Sequence, residues 1–554
     1  MSALSAAVLE SLQRLLPPQR SSALLQPLVQ ALIEALEEGE LGLDLRGPEP
    51  DGFNTEDWPA GAVSALEEAG WLVGAEQASR APEAPVVQDG TVLRWRRWHE
   101  QLHQCLGALE QRAQRQLSCS EAERQGAVTA AAKAGLDPRQ CQAVSAALGQ
   151  GLVLLTGGPG TGKTSTVVQM LAACLRQTPS LRIQLAAPTG KAAARLASSV
   201  SNGSQSLEAE LAQRLQMLPS STLHRLLEAQ GELRFGRNRR HPLELDLLVV
   251  DELSMVDLPL MAALLEALPA DAQLLLIGDA NQLPPVGTGA VLEELCRPER
   301  LPRLGEAAVE LRTTYRNDGA IAALAEQLRQ GTSGLQGEVL LELQPSLQAL
   351  DPHGNVSWLE ASGRTLPAPL LQAVQHQASA LRQSCQALDW QEGRPDPEQS
   401  AALLAQLEDL VVLSPIRQGP WGVEAVHRAL LGDLAKSTPM HWPPGTPVLN
   451  RLNRADQGLA NGDIGVVLQH GAERRILMPG QRLLHPAQLN GAEPAFALTV
   501  HKSQGSQYKA VQFLLPANRH LDPRLIYTGL TRAQQQATLI TPVGACSRQN
   551  QGPT

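Results

Sequence analysis

An apolar run, Leu152-Val153-Leu154-Leu155-Thr156, leads directly into Gly157-Gly158-Pro159-Gly160-Thr161-Gly162-Lys163-Thr164. Few arrangements constrain a fold as tightly. A buried strand has to end where glycines let the backbone curl, and a helix has to begin near Lys163 so that its free N–H groups converge on an anion. In such a loop the backbone N–H groups wrap phosphates, Lys163 reaches the β and γ oxygens, and Thr164 offers its hydroxyl to magnesium. The glycines, lysine and threonine stand in the required order, which argues against a Gly-rich turn without a ligand. ATP and Mg2+ are the expected cofactors.

The surroundings extend this into a fold class. Short apolar runs at 152–156, 182–187, 245–250 and 273–277 alternate with helical stretches, the rhythm of a parallel sheet covered on both faces. The rhythm returns at 410–413, 511–515 and 538–541, which predicts a second α/β domain. A Pro/Gly-rich stretch with β runs, about 443–490, reads as a small β-barrel insert. Residues 1–115 carry Leu and Ala at helical spacing, apart from two β-prone runs around the turn pair Asp89-Gly90. The expected architecture is α/β: a helical N-terminal domain (1–115), a first α/β domain (116–330), and a second (331–554) holding the insert. Residues 331–400 carry no usable motif and read as helices and loops.

At 554 residues the chain exceeds one hydrophobic core, and no apolar run approaches the ~18 residues of a membrane helix. The N-terminus lacks the basic start of a secretory signal, so a cytoplasmic location is expected. Seven cysteines, scattered and never spaced C-x-x-C, point away from a disulfide framework or a zinc site. A net charge of −10 excludes a globally basic nucleic-acid binder, so any DNA site has to be a local groove.

Two further runs carry chemistry. Leu247-Leu248-Val249-Val250-Asp251-Glu252 is a strand ending in two carboxylates. In phosphate-loop enzymes the first acid holds magnesium and a second polarises the attacking water. After another strand, Gly278-Asp279-Ala280-Asn281-Gln282 places Gln282 where it can sense a γ-phosphate.

With Ala187-Pro188-Thr189-Gly190-Lys191, Thr222-Leu223-His224-Arg225, Thr314-Tyr315-Arg316-Asn317, Thr499-Val500-His501-Lys502-Ser503-Gln504-Gly505-Ser506 and Tyr527-Thr528-Gly529-Leu530-Thr531-Arg532-Ala533, the set resembles a helicase of superfamily one. Within it, Asp251-Glu252-Leu253-Ser254-Met255-Val256-Asp257, Arg417-Gln418-Gly419-Pro420-Trp421-Gly422-Val423 and Gly458-Leu459-Ala460-Asn461-Gly462-Asp463 are similar to runs in the RecD family, the α subunits of exodeoxyribonuclease V. The resemblance covers about residues 136–542. It implies two RecA-like domains with an SH3-like insert, and an ATP-dependent DNA helicase moving 5′ to 3′ on single-stranded DNA at duplex ends. RecB-like and RecC-like partner subunits and a role in recombinational repair of double-strand breaks are implied with it. The alternatives are a stand-alone helicase of the same superfamily and a scaffold subunit that uses ATP only as a switch.

The resemblance assigns catalytic roles to Lys163, Thr164, Asp251, Glu252 and Gln282, with Arg316 and Arg532 as arginine fingers across the cleft. Thr164 and Asp251 are the magnesium ligands it implies. Gln140 stands where these helicases read adenine, and Tyr315 lies beside the nucleotide. Thr189, Lys191, Thr222, His224, His501, Lys502 and Ser503 are the implied DNA contacts, with a core position the competing reading for each histidine. Arg234-Phe235-Gly236-Arg237-Asn238-Arg239-Arg240-His241, the most basic patch, is either a strand-separating hairpin or a solvated loop. No nuclease set accompanies the helicase acids, so strand cutting is expected in another subunit. Residues 1–115 are expected to dock partners, a cap on the first motor domain being the competing reading.

Overall fold

The computed structural model describes residues 3–54, 56–231, 234–315, 319–331, 339–351, 354–452, 459–516 and 521–544. The N-terminal part holds helices α1 (Ala3–Leu15), α2 (Leu25–Glu37), α3 (Ala60–Ala69) and α4 (Arg96–Gln114). Four short strands accompany them: β1 (Leu43–Asp44), β2 (Leu72–Gly74), β3 (Val86–Asp89) and β4 (Val92–Trp95). β3 and β4 form the hairpin expected at Asp89-Gly90, and β1 and β2 widen it into a sheet ordered β1-β4-β3-β2. The N-terminal part is therefore helical with a small sheet of its own. α2 buries Leu25, Leu28, Val29, Leu32 and Ile33, one face of a 3.6-residue period, in a cluster with Trp58, Leu66 and Trp71.

α4 belongs to a different core. Leu102, Leu106 and Leu109 are at most 1% exposed and join the apolar cluster that contains Leu152, Leu154, Leu248 and Val250 of the first motor sheet. Arg112 donates to the carbonyls of Leu268, Pro269 and Ala272. Arg94, 1% exposed, lies between Asp89 at 2.7 Å and Glu294 at 2.9 Å. The stretch expected to be a separable docking unit is thus rooted in the motor, and its last helix is a cap.

The first motor sheet contains β5 (Leu152–Gly157), β6 (Ile183–Ala187), β7 (Ser220–Thr222), β8 (Leu247–Val250), β9 (Gln273–Gly278) and β10 (Ala308–Leu311). Its order is β10-β5-β9-β8-β6-β7, parallel throughout. Alternate residues face opposite layers. Val153, Leu155, Val249 and Leu275 pack on α5 (Glu121–Lys133), α6 (Pro138–Gly149), α7 (Lys163–Gln177) and α8 (Gly190–Ser204). Leu152, Leu154, Leu248 and Leu274 pack on α4 and the helix Leu258–Ala267. Burial on both faces is why these strands read as continuous apolar runs. The carboxyl ends of β5, β8 and β9 share one rim, the place where such sheets bind ligands.

The second half holds β11 (Val356–Ala361), the hairpin β12 (Trp390–Gln391) and β13 (Arg394–Pro395), and β14 (Leu410–Ser414). Then follow β15 (Pro447–Leu449), β16 (Ile464–His470), β17 (Glu473–Met478), β18 (Arg482–Leu484) and β19 (Glu493–Pro494). β20 (Ala497–Thr499), β21 (Tyr508–Leu514) and β22 (Ala533–Pro542) close the chain's strands. The second motor sheet is parallel, ordered β11-β22-β21-β14-β20. Between β14 and β20 the chain makes an antiparallel sheet ordered β18-β17-β16-β15-β19, the insert. The motifless stretch 331–400 supplies β11 as an edge strand, beyond the helices and loops expected there.

Candidate active site and nucleic-acid face

The phosphate loop runs from the end of β5 to the start of α7. Gly160 (φ +77°) and Gly162 (φ +79°) are left-handed, a conformation that a side chain penalises, and they turn the loop back onto the helix N-terminus. Thr161 Oγ1 donates to the Gly158 carbonyl at 2.8 Å, and Lys163 Nζ donates to the carbonyls of Gly157 at 2.6 Å and Gly158 at 2.8 Å. From outside, the Tyr315 N–H donates to the Gly160 carbonyl at 2.8 Å.

Gln140 holds the loop rather than facing the cavity. Its Oε1 accepts from the Asp137 N–H at 2.9 Å in a capping box at the start of α6, and its Nε2 donates to the Thr161 carbonyl at 3.2 Å. Both ends of the amide are engaged, so adenine reading by this side chain does not follow from its position here. Asp137 in turn accepts from the Tyr315 hydroxyl at 2.7 Å. The three residues form one bracket behind the phosphate loop.

A cavity of about 410 Å³ opens in front of it, lined by Lys163, Thr164, Asp251, Glu252, Gln282, Tyr315 and Arg532 among others. Asp251 immediately follows β8, and its Oδ1 accepts from the Glu252 N–H at 2.9 Å. Burial and the neighbouring Glu252 charge push the Asp251 carboxyl up to about 6, while Lys163 opposes the shift. Glu252 sits at φ +53°, ψ +47°, left-handed without being glycine. Such a backbone costs about 1–2 kcal/mol, and here it places two successive carboxylates at one rim.

Gln282 is 7% exposed; its Nε2 donates to Asp279 Oδ2 at 3.3 Å, while its Oε1 is buried with no partner among the described residues. Arg532, 2% exposed, reaches the cavity from the second motor sheet, with Nε on the Thr528 carbonyl and Nη1 on the Ser506 carbonyl. Burial lowers its pKa, and the Glu252 charge works against that. Arg195 also lines the cavity, a residue the sequence reading missed. Ala192, Leu196 and Ser199 line the cavity beside it, one face of α8, and only the docking of that helix shows which face that is. Arg316 lies outside the described residues.

The proposed DNA contacts divide. Thr189 Oγ1 caps α8 by accepting from the Ala192 N–H, and Thr222 Oγ1 accepts from the Arg225 N–H. Lys191 pairs with Glu408 of the second motor at 3.0 Å and lies over the Tyr508 ring. Lys502 pairs with Glu493 at 2.7 Å. His501 is exposed and His224 half-buried, so His501 is not a core histidine. Ser503 is a correction: it is fully buried, its hydroxyl donating to the Val500 carbonyl at 2.7 Å, and it presents no surface to DNA. The basic patch folds back as a hairpin, with bridges Ala229↔Phe235 and Asn238↔His241 and with Arg239 and Arg240 exposed. Arg237 is turned inward onto Glu228 at 2.8 Å.

An AAA domain model matches residues 140–288, and a UvrD-like helicase C-terminal domain model matches residues 494–540. The RecBCD enzyme subunit RecD of Mycolicibacterium smegmatis is 38% identical over 415 residues, 72% of this chain and 70% of that protein. The subunit of the same name from Mycobacterium tuberculosis is 37% identical over 416 residues, 72% of this chain and 68% of its own length. An ATP-dependent RecD2 DNA helicase of Deinococcus radiodurans is 31% identical over 422 residues, 74% of this chain but 50% of that protein. The cavity at the rim of the first sheet, completed by an arginine from the second, and these likenesses lead to one conclusion: the chain belongs to the RecD family of ATP-dependent DNA helicase subunits.

Proposed function

We propose that this chain is the RecD motor of a helicase–nuclease, hydrolysing ATP with Mg2+ to move along single-stranded DNA at duplex ends. The observation that carries the reading is the single cavity in which the phosphate loop, Asp251, Glu252 and Gln282 of one sheet meet Arg532 of the other. Closure of the two sheets on a nucleotide then couples to chemistry.

The residues present suit a magnesium-bound triphosphate. Lys163 and the N-terminus of α7 take phosphate oxygens, and Thr164 and Asp251 are the oxygen ligands suited to the metal. Bound Mg2+ would neutralise charge that develops between the β and γ oxygens. Glu252 is the base that takes the proton of the attacking water. Gln282 Oε1, an orphaned buried acceptor, is placed to orient that water by accepting its other proton. Arg532 balances charge on the transferred group, and the family role of Arg316 is the same. Thr189, Lys191, Thr222, His224, His501 and Lys502 contact the DNA backbone in this reading, without distinguishing bases.

Movement 5′ to 3′, RecB-like and RecC-like partners and strand cutting in another subunit are carried by the family resemblance, and a cytoplasmic location suits a DNA motor of this kind. The test is ATP turnover with and without oligo(dT), followed by unwinding of duplexes carrying a 5′ or a 3′ tail. DNA-stimulated turnover with a 5′-tail requirement is expected. Turnover indifferent to DNA favours the switch subunit, and a 3′-tail requirement overturns the polarity. Co-purification with the partner subunits separates the complex from a stand-alone helicase.

A further inference from the structure

A second cavity, of about 340 Å³, lies on the second motor beside the insert, and four cationic side chains line it: Arg417, Arg428, Lys436 and Lys502. Two carboxylates stand among them, Glu424 and Glu493. Glu493, in β19 and 18% exposed at its side chain, meets Arg417 Nη2 at 2.6 Å, Lys502 Nζ at 2.7 Å and Arg451 Nη1 at 2.9 Å. The three cations come from three segments: the loop after β14, the insert, and the stretch after β20 that was expected to touch DNA. Glu424 takes the Arg417 Nε at 3.0 Å, and Arg428 and Lys436 are exposed with no ion pair among the described residues. His427, which also lines the cavity, is buried between the Ala497 carbonyl and N–H and holds no proton to spare, since burial pulls it down to about 4.

The excess of cations over carboxylates makes this an anion site with an internal anion already in it. A carboxylate and a phosphodiester are alike to such a cluster: each has one negative charge and two acceptor oxygens, and each suits the fork of an arginine. Lys502 therefore cannot serve Glu493 and a DNA phosphate fully at once. We propose that this cavity is a backbone-phosphate subsite of the single-strand path and that Glu493 is its built-in competitor, exchanging Arg417, Arg451 and Lys502 with an arriving phosphodiester. The inference rests on the DNA-motor reading above. A motor that steps has to release each phosphate it holds, and an internal carboxylate takes the cations back at every step without water having to solvate them.

Glu493→Gln tests this in the full chain, since it keeps the size and one acceptor and removes the charge. Binding of fluorescent oligo(dT) is measured by anisotropy across a salt series, with a thermal melt to verify folding. The variant is expected to bind about tenfold more tightly and to show a salt slope steeper by about 0.7 for each additional phosphate neutralised. Its DNA-stimulated turnover should saturate at lower DNA and reach a lower maximum, because release slows. Arg428→Ala and Lys436→Ala, which disturb no pair of Glu493, should weaken binding and keep the thermal transition. Should Glu493→Gln misfold, Glu493→Asp takes its place, the shorter acid reaching the cations less well and tightening binding in the same direction. Wild type that binds oligo(dT) alongside a Glu493 variant of equal or weaker affinity overturns the competitor role alone. Wild type that does not bind oligo(dT) overturns the DNA-motor reading and this inference with it.

Discussion

The Tyr527 hydroxyl donates to Asp279 Oδ2 at 2.8 Å, joining the helix Pro523–Leu530 of the second motor to the end of β9 in the first. Asp279 is 2% exposed and takes Gln282 Nε2 on the same oxygen. Two neighbouring bonds cross the same interface: the Leu283 N–H donates to Thr528 Oγ1 at 2.8 Å, and Gln504 Nε2 donates to the Leu283 carbonyl at 3.0 Å. Two hydrogen bonds through Asp279 therefore connect Gln282 of the first motor to Tyr527 of the second. Burial and the Asp279 charge push the Tyr527 hydroxyl well above its ordinary pKa, so it stays a donor throughout the working range. Tyr527→Phe keeps the ring and removes the bond, leaving Asp279 one donor short. A hydrogen bond to a buried charge is worth about 1.5–3 kcal/mol, so stimulation of ATP turnover by oligo(dT) should fall about tenfold or more. Equal stimulation in Tyr527→Phe would show that coupling takes another route.

The phosphate-loop lysine and the second acid should fail differently. Lys163 donates only to loop carbonyls, so Lys163→Gln is expected to keep its thermal transition and lose turnover by about 100-fold or more. Glu252→Gln preserves Asp251, Thr164 and Lys163, so a fluorescent ATP analogue should still bind with Mg2+ while turnover is lost. Nucleotide affinity that collapses equally in both variants contradicts the division of roles.

Asp251 gives a pH signature with a definite sign. Its carboxyl rises from 3.8 to about 6 on folding, so the folded state holds the proton more tightly than the unfolded chain. Stability is then present at low pH, is lost as pH rises from about 4 to about 6, and stays lost above. Asp251→Asn removes that cost. Without nucleotide or metal its thermal midpoint should exceed wild type at pH 7.5, and the gain should shrink towards pH 4.5. The same variant should show no magnesium-dependent turnover, because the amide carries no charge for the metal.

How legible the site was depends on what each residue does. The loop 157–164 and the acids 251–252 could be read because their chemistry needs fixed residue types in sequence beside an apolar strand. Arg532 was legible through its neighbours, Thr528 to Thr531. Gln140 shows the limit of local context: its amide closes a capping box at Asp137 and reaches the Thr161 carbonyl, and a single Gln in the sequence announces neither partner. Ser503 was misleading for a similar reason: whether a hydroxyl faces DNA or a Val500 carbonyl is decided by packing across β14 and β20. Arg195 is visible only once α8 is docked. Glu493 lies in the last strand of the insert, 76 residues beyond Arg417, so no local pattern announces the pair. In the fold, β11 escaped notice because Val356-Ser357-Trp358-Leu359-Glu360-Ala361 is a half-exposed edge strand with no motif around it.

The N-terminal part yields the sharpest test of how the motor is built. A chain beginning near Ala122 loses α4, and with it Leu102, Leu106 and Leu109 from the face of the first sheet and the Arg112 bonds to the carbonyls of residues 268, 269 and 272. Burying one leucine is worth about 1.5–3 kcal/mol, so three approach the whole stability of an ordinary domain, about 5–15 kcal/mol. That truncation should aggregate or melt without a cooperative transition. A chain beginning at Arg96 keeps α4 and removes the separate cluster around Leu28, Leu32, Trp58 and Trp71. Loss of Arg94 leaves Glu294 with Arg297 at 3.0 Å, so no buried acid is stranded. The longer chain should therefore fold and retain oligo(dT)-stimulated turnover, while failing to co-purify with RecB-like and RecC-like subunits if residues 1–95 carry the partner interface. Equal thermal transitions for the two truncations would remove α4 from the motor core, and full assembly by the chain from Arg96 would move the interface onto the motor domains.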